Sequence, residues 1–175
     1  MRSQRKWINR FLAFIVIGAF AVGCQTPGGG EKKPLAQLKF YIEAVDNELR
    51  SMELSVFQRN PITVRVDRSP VLQEVDLEFA DLIQDEFGYT IRLRFNQRGG
   101  WILESETAQH LGQRMVVVAS FDEVNRAIAA WPIRTRNGTS GLEFVPDASL
   151  EESLRLVEGL RNVVAEVNRF STSPL

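Results

Sequence analysis

The chain of 175 residues holds one cysteine, Cys24, and one histidine, His110. A single cysteine excludes an internal disulfide, and a single imidazole excludes both a histidine cluster for zinc and a His-to-His proton relay. Ser51, Ser69, Ser105, Ser120 and Ser140 supply hydroxyls, yet none sits in a G-x-S-x-G elbow. The glycines of "NQRGGW" lack the lysine and the spacing of a phosphate loop. Asp76, Glu78 and Asp81 do not match the alternating oxygen ligands and terminal glutamate of a calcium loop. Glu104 and Glu106 lie two residues apart and so point to different faces of a helix, which argues against a catalytic carboxylate pair and for dipole compensation near a helix start. No basic tract marks a nucleic-acid surface. Only one long apolar run occurs, Phe11 to Gly23, and it is shorter than the roughly 20 apolar residues that span a bilayer. These absences predict no catalytic site, no bound metal and no cofactor.

What is present begins with "MRSQRKWINR", which carries Arg2, Arg5, Lys6 and Arg10 and no acid, followed by that apolar run. A basic segment, a short apolar segment and small residues before a cut are the pattern of an export signal. The sequence "AVGC" resembles the lipobox of bacterial lipoproteins, with Ala21 where leucine is usual. The resemblance implies cleavage before Cys24 and acylation of its thiol, so residues 1–23 are expected to be a lipoprotein signal peptide and the membrane a partner through the lipid on Cys24. By likeness to lipoprotein sorting in some Gram-negative bacteria, Gln25 in place of aspartate favours the outer membrane, on the periplasmic side of the cell envelope. Loss of residues 1–23 removes four of the 21 bases and none of the 22 acids, leaving a mildly acidic chain. Residues 24–34, "CQTPGGGEKKP", read as a flexible linker, residues 35–170 as a single domain and residues 171–175 as a tail.

Within the domain, "LAQLKFYIEAV" fits either a strand through Leu38, Phe40 and Ile42 or a helical stripe, and its β-branched and aromatic second half favours the strand. Two short strands are expected through Leu54 and Val56, then Ile62, Val64 and Val66, separated by Pro61. "SPVLQEVDLEFADLI" suggests a helical turn leading into a strand, and "YTIRLRFN" is the clearest alternating strand. A helix is predicted over "WILESETAQHLGQR" with Gly112 as its stop, then a buried strand, "MVVVASF". "DEVNRAIAA" reads as a loop or short helix, followed by a hairpin of "WPIRTR" and "LEFV" about "NGTSG". A last helix sets Leu150, Leu154, Val157, Leu160, Val164 and Val167 on one face, with Ser149 and Glu152 as a capping box. This order predicts an α+β fold, a mainly antiparallel sheet with two amphipathic helices packed on one face.

From Tyr89 to about Arg161 the pattern resembles the head subdomain of the first periplasmic domain of SecD, a membrane-embedded accessory subunit of bacterial protein export. The resemblance rests on a strand ending at Phe95, Gly99 opening a helix through Thr107 and Ala108, the exit "LGQR", the strand "MVVVA", a proline-centred strand at Trp131 to Ile133, glycines from Gly138 to Gly141, and "LEFV" feeding a helix that begins "SLEES". It implies a SecD-head-like fold in a stand-alone lipoprotein. Nothing in the chain corresponds to the transmembrane helices that serve proton-coupled work in SecD.

The remaining candidates are surface groups. His110 is expected at a helix end, and Trp101 and Trp131 in the core or over a sheet. Arg92, Arg94, Arg134 and Arg136 alternate along two predicted strands and would form one basic stripe if those strands were neighbours. Such a stripe would suit an acidic partner or an extended polypeptide. The sequence therefore points to a non-catalytic, lipid-anchored envelope domain with a protein or polypeptide partner and no nucleic acid. A small ligand-binding protein or hydrolase sharing the fold, and a purely structural lipoprotein, are the alternatives.

Overall fold

A computed structural model describes residues 33–45, 50–86, 88–138 and 141–172, all within one compact unit. The predicted signal segment, Cys24 and most of the predicted linker lie outside the described residues. Among the described residues, no helix is long and apolar enough to cross a membrane.

The first strand, β1 (Ala36–Ile42), settles the ambiguity of its segment. Ala36, Leu38, Phe40 and Ile42 are buried on one side, the alternation of a pleated strand and not of a helix. The chain then forms β2 (Ser51–Val56), β3 (Ile62–Asp67), a short β4 (Leu72–Gln73), one 3₁₀ turn at Glu74–Asp76, β5 (Leu77–Asp85) and β6 (Gly88–Phe95). Helix α1 (Gln97–Gln109), β7 (Arg114–Phe121), β8 (Val124–Pro132), β9 (Leu142–Phe144) and helix α2 (Leu150–Thr172) follow. The strands make three antiparallel sheets, ordered β4-β1-β7-β8, β2-β3 and β5-β6-β9.

The inner face of the four-stranded sheet meets the inner face of β5-β6-β9 and both helices. Phe40, Ile91, Leu93, Leu103, Met115, Ile128, Leu156 and Leu160 share this core. Phe40 meets Phe95 edge-on at 5.7 Å between ring centroids. Each fully buried side chain of this size contributes about 1.5–3 kcal/mol. The opposite face of the four-stranded sheet is covered by the β2-β3 hairpin, where Val56, Val64 and Val66 pack on Tyr41, Val116 and Ala127. A strand buried on both faces shows no clean alternation.

That double burial explains one departure from expectation. "NRAIAA" is part of β8, not a loop or short helix. Its alanines look helical in isolation, but they fit the narrow space between the main core and the hairpin. Asp122 and Glu123 turn the chain from β7 to β8, with Asp122 at φ 48°. The register jumps from Val117 opposite Ala129 to Val118 opposite Ala127. This bulge turns Ile128 and Ala129 into the same core.

A second departure concerns "LEFV". β9 pairs with β6, Leu142 opposite Leu93 and Phe144 opposite Ile91, and does not form a hairpin with "WPIRTR". That segment leaves β8 at Pro132, and Ile133 instead exchanges backbone hydrogen bonds with the α1–β7 connection, its N–H to the Gln113 carbonyl at 2.8 Å and its carbonyl to Gly112 N–H at 2.9 Å.

Helix α1 starts four residues before "WILE". The Asn96 side chain accepts a hydrogen bond from Gly99 N–H at 2.9 Å and caps it. Gly99 is needed there, because a Cβ would stand 2.7 Å from the Asp76 carbonyl oxygen. Glu104 and Glu106 consequently fall beyond the first turn, where they bind Arg136 and His110 and do not compensate the helix start. His110 is the C-cap, and Gly112 at φ 87° ends the helix as predicted.

In α2 the capping box forms as read: Glu152 N–H donates to Ser149 Oγ at 3.1 Å and Ser149 N–H to Glu152 Oε2 at 2.8 Å. The buried face differs, however. It is made by Ser153, Leu156, Val157, Leu160 and Val164, while Leu154 is 54% exposed. Contact of Gly159 with β1 fixes the helix rotation, and Leu154 lies outside the stripe that this rotation buries. Trp101, expected in the core or over a sheet, is 62% exposed on α1.

Candidate functional site

The four arginines do not make one stripe, because the segments that carry them belong to different places in the fold. Arg92 and Arg94 stand on the outer face of β6. Arg92 binds Glu143 across the sheet at 2.5 Å and lies opposite Asp81. Arg94 pairs with Glu78 at 3.5 Å and lies over the Phe79 ring at 5.2 Å. Asp81 in turn holds Arg161 from α2. This face is therefore balanced in charge, and its exposed pairs each contribute little, on the order of 0–1 kcal/mol. Arg134 and Arg136 follow β8 in irregular backbone, with Arg136 on Glu104 and Arg134 exposed.

A different surface emerges where two sheet edges converge. β8 is the edge of its sheet and β9 the edge of the other. At one end they are fastened: Asp147 N–H donates to the Ile128 carbonyl on β8. Around that point Gln58 N–H donates to Asp147 Oδ2 at 2.7 Å and Arg126 to the Asp147 carbonyl at 2.5 Å. Arg126 also reaches Glu152 at 3.3 Å, so the turn after β2, strand β8 and the start of α2 are tied at one node. Hydrogen bonding from Ser149 N–H, aided by the Arg126 guanidinium, holds the Glu152 carboxyl below its usual range against an opposing desolvation.

Away from the node the two edges separate and leave a wedge of about 340 Å³. Its β8 side is Ala129, Ala130 and Trp131, its β9 side Glu143, Phe144 and Val145, and Phe57 and Thr90 complete the lining. The Trp131 indole stacks on Phe144 at 5.7 Å and 16°, giving a flat aromatic floor. Val145 is 72% exposed on the rim. Phe57 has φ 68°, a left-handed backbone that a bulky residue adopts only at a cost of about 1–2 kcal/mol. Of the polar side chains here, Glu143 is already held by Arg92. The wedge thus offers apolar and aromatic surface between two strand edges, and edge strands carry backbone groups outside their own ladder.

Of the residues nominated from sequence, only Trp131 takes part in the wedge. Phe57, Phe144 and Val145 were missed. "LEFV" reads as a strand, but its expected neighbour is "WPIRTR" and its actual one β6, and Phe57 is one apolar residue beside a turn.

The fold defines the described residues as a SecD-like α+β domain. No family model matches the sequence, and no curated protein does. Among solved structures the chain is similar to SecDF, described as a membrane component that enhances protein export, with a TM-score of 0.51 and 21% identity over 74% of this chain and 63% of that one. It is also similar to SecDF in a super-membrane-facing form, with a TM-score of 0.50 and 20% identity over 72% of this chain and 18% of that one. The chain spans less than two thirds of either. The structural likeness extends beyond the stretch from Tyr89 to Arg161 that carries the sequence resemblance, so the early strands share in it.

Proposed function

We propose that this protein is a non-catalytic accessory domain of the cell envelope, anchored through lipid on Cys24, that holds extended polypeptide segments in the wedge between β8 and β9. The observation that carries the reading is the wedge itself: two strand edges, fastened at Asp147 and open over Trp131 and Phe144. An extended segment entering there meets main-chain groups on its edges and an aromatic floor for its side chains, the physics of strand addition. The likeness to SecDF, a component that enhances protein export, favours exported polypeptides as the occupants. The basic signal segment and "AVGC" support an envelope location. Arg134 is exposed just beyond β8 and stays a candidate for an acidic segment of the occupant.

The test is photo-crosslinking in intact envelopes, with a reactive side chain at Val145 on the rim and, as a control, at Glu158 on the exposed side of α2. Adducts with exported polypeptides at Val145 that Trp131→Ala diminishes are expected. Equal adducts at both positions, or adducts at Val145 unaffected by Trp131→Ala, would overturn the reading.

A further inference from the structure

The chain enters the domain beside the middle of α2. Asn162 Nδ2 donates to the Pro34 carbonyl at 2.9 Å, and Gly159 lies against the backbone of Leu35 and Ala36. From Asn162, α2 continues for ten more residues to Thr172, about 15 Å at 1.5 Å per residue. Along this extension Phe170 is 83% exposed, more than any other large apolar side chain described. Leu35, at the point of entry, is 52% exposed. Lys33 is exposed, and the sequence places Lys32 directly before it.

Chain length limits how far this end can stand from a membrane. If Cys24 carries the lipid, eight residues, Gln25 to Lys32, lie between it and Lys33, so nine residue steps join the two. Fully extended at about 3.3–3.6 Å per residue they reach roughly 30 Å, about the width of a domain this size. A lipid on Cys24 keeps the surface around Pro34 within that distance of the headgroups, whereas the node beside the wedge lies at the other end of α2, at Glu152. Phe170 is an exposed aromatic ring of the kind that enters a headgroup layer, and Lys33 at the point of entry is a base of the kind that meets lipid phosphate.

We propose that the last turns of α2, through Phe170, seat the domain on the bilayer surface, so that α2 acts as a strut carrying the wedge away from the membrane. This rests on the lipid-anchor reading above. The occupant is a lipid surface, and a second copy of the chain is the competing one.

The experiment uses the full, processed chain on vesicles of phosphatidylethanolamine and phosphatidylglycerol. Because acylation consumes Cys24, a cysteine introduced by Glu166→Cys is the single free thiol for a nitroxide, one turn from Phe170. A second preparation carries the label at Asn125→Cys, near the β7–β8 turn where Arg155 of α2 pairs with Asp122. On vesicles, the ratio of oxygen to nickel-reagent accessibility at residue 166 is expected to rise severalfold over its value in solution, and to return to that value with Phe170→Ser. The ratio at residue 125 is expected to stay aqueous. Phe170 is too exposed for its replacement to disturb folding. A chain that floats with the vesicles while residue 166 stays aqueous overturns the proposal and leaves the anchor standing. A chain that neither floats nor carries an acyl mass on its N-terminal peptide overturns both. Protection at residue 166 that grows with protein concentration without vesicles assigns Phe170 to a second copy and also overturns it.

Discussion

Gly159 lies inside α2, where exchanging glycine for alanine ordinarily stabilises a helix by about 0.5–1 kcal/mol. The packing of this helix on β1 reverses the sign. A Cβ at Gly159 would stand 2.7 Å from the Ala36 Cβ, 2.9 Å from the Ala36 nitrogen and 3.2 Å from the Leu35 carbonyl carbon. Ordinary contact starts near 3.4 Å, so helix and strand would have to separate by about half an ångström or more. Neither side yields easily. Ala36 is paired with Phe121 on β7, and Val157 and Leu160 beside Gly159 are fully packed in the main core.

Overpacking of this kind costs about 1–3 kcal/mol. Set against the helix gain, Gly159→Ala is expected to destabilise by about 1–2 kcal/mol and to lower the melting temperature by about 3–8 °C. Adding Ala36→Gly removes the nearest contact but leaves the one to the Ala36 nitrogen, so the double variant should recover only part of the loss. Urea and thermal unfolding of the parent and the two variants measure both effects. A Gly159→Ala protein as stable as the parent, or more so, would refute the close crossing of α2 over β1, and with it the argument for why Leu154 is exposed.

Two further expectations concern the wedge and its node. At Phe57 the left-handed backbone predicts that Phe57→Gly is more stable than Phe57→Ala by about 1 kcal/mol, measured by thermal unfolding, while both lose Val145 crosslinking equally because both lack the ring. At Glu152 the folded carboxyl titrates below its usual range, so its stabilising contribution is full above the unfolded pKa and is lost as pH falls through the folded one. Glu152→Gln should therefore be less stable than the parent at neutral pH, with the difference closing in acid below the usual carboxylate range; a difference that persists unchanged into acid would contradict this.

The elements with one buried face and one wet face were legible in the sequence. "YTIRLRFN" alternates because its strand has a single core side, and "SLEES" announces a helix start through side chains that bond backbone groups three residues away. β8 was not legible, because burial on both faces replaced alternation with alanines of helical appearance. The partner of β9 was not legible either, since pairing with β6 is a contact across about fifty residues and nothing local specifies it. The helix rotation that exposes Leu154 depends on where Gly159 meets β1, which is again a tertiary fact.

The same division accounts for the site. Alternation correctly places Arg92 and Arg94 on one outer face, but the charge of a sheet face is set by cross-strand neighbours, and the register brings Glu143, Asp81 and Phe79 beside them. A basic pair in the sequence becomes a balanced ladder in the fold. The wedge has the opposite history. Its residues carry no chemical signature of their own, and they become a site because β9 leaves β6 toward β8 and is caught at Asp147. The fastening is made of partly buried charged groups, Arg126, Asp147 and Glu152, and α2 departs from the same place. The end of the groove and the start of α2 therefore share the same charged contacts. Its aromatic floor is held by the stack of Trp131 on Phe144, one ring from each sheet. The recognition proposed for the wedge is consequently a property of how two sheet edges are joined, and the residues that join them matter to it as much as those that line it.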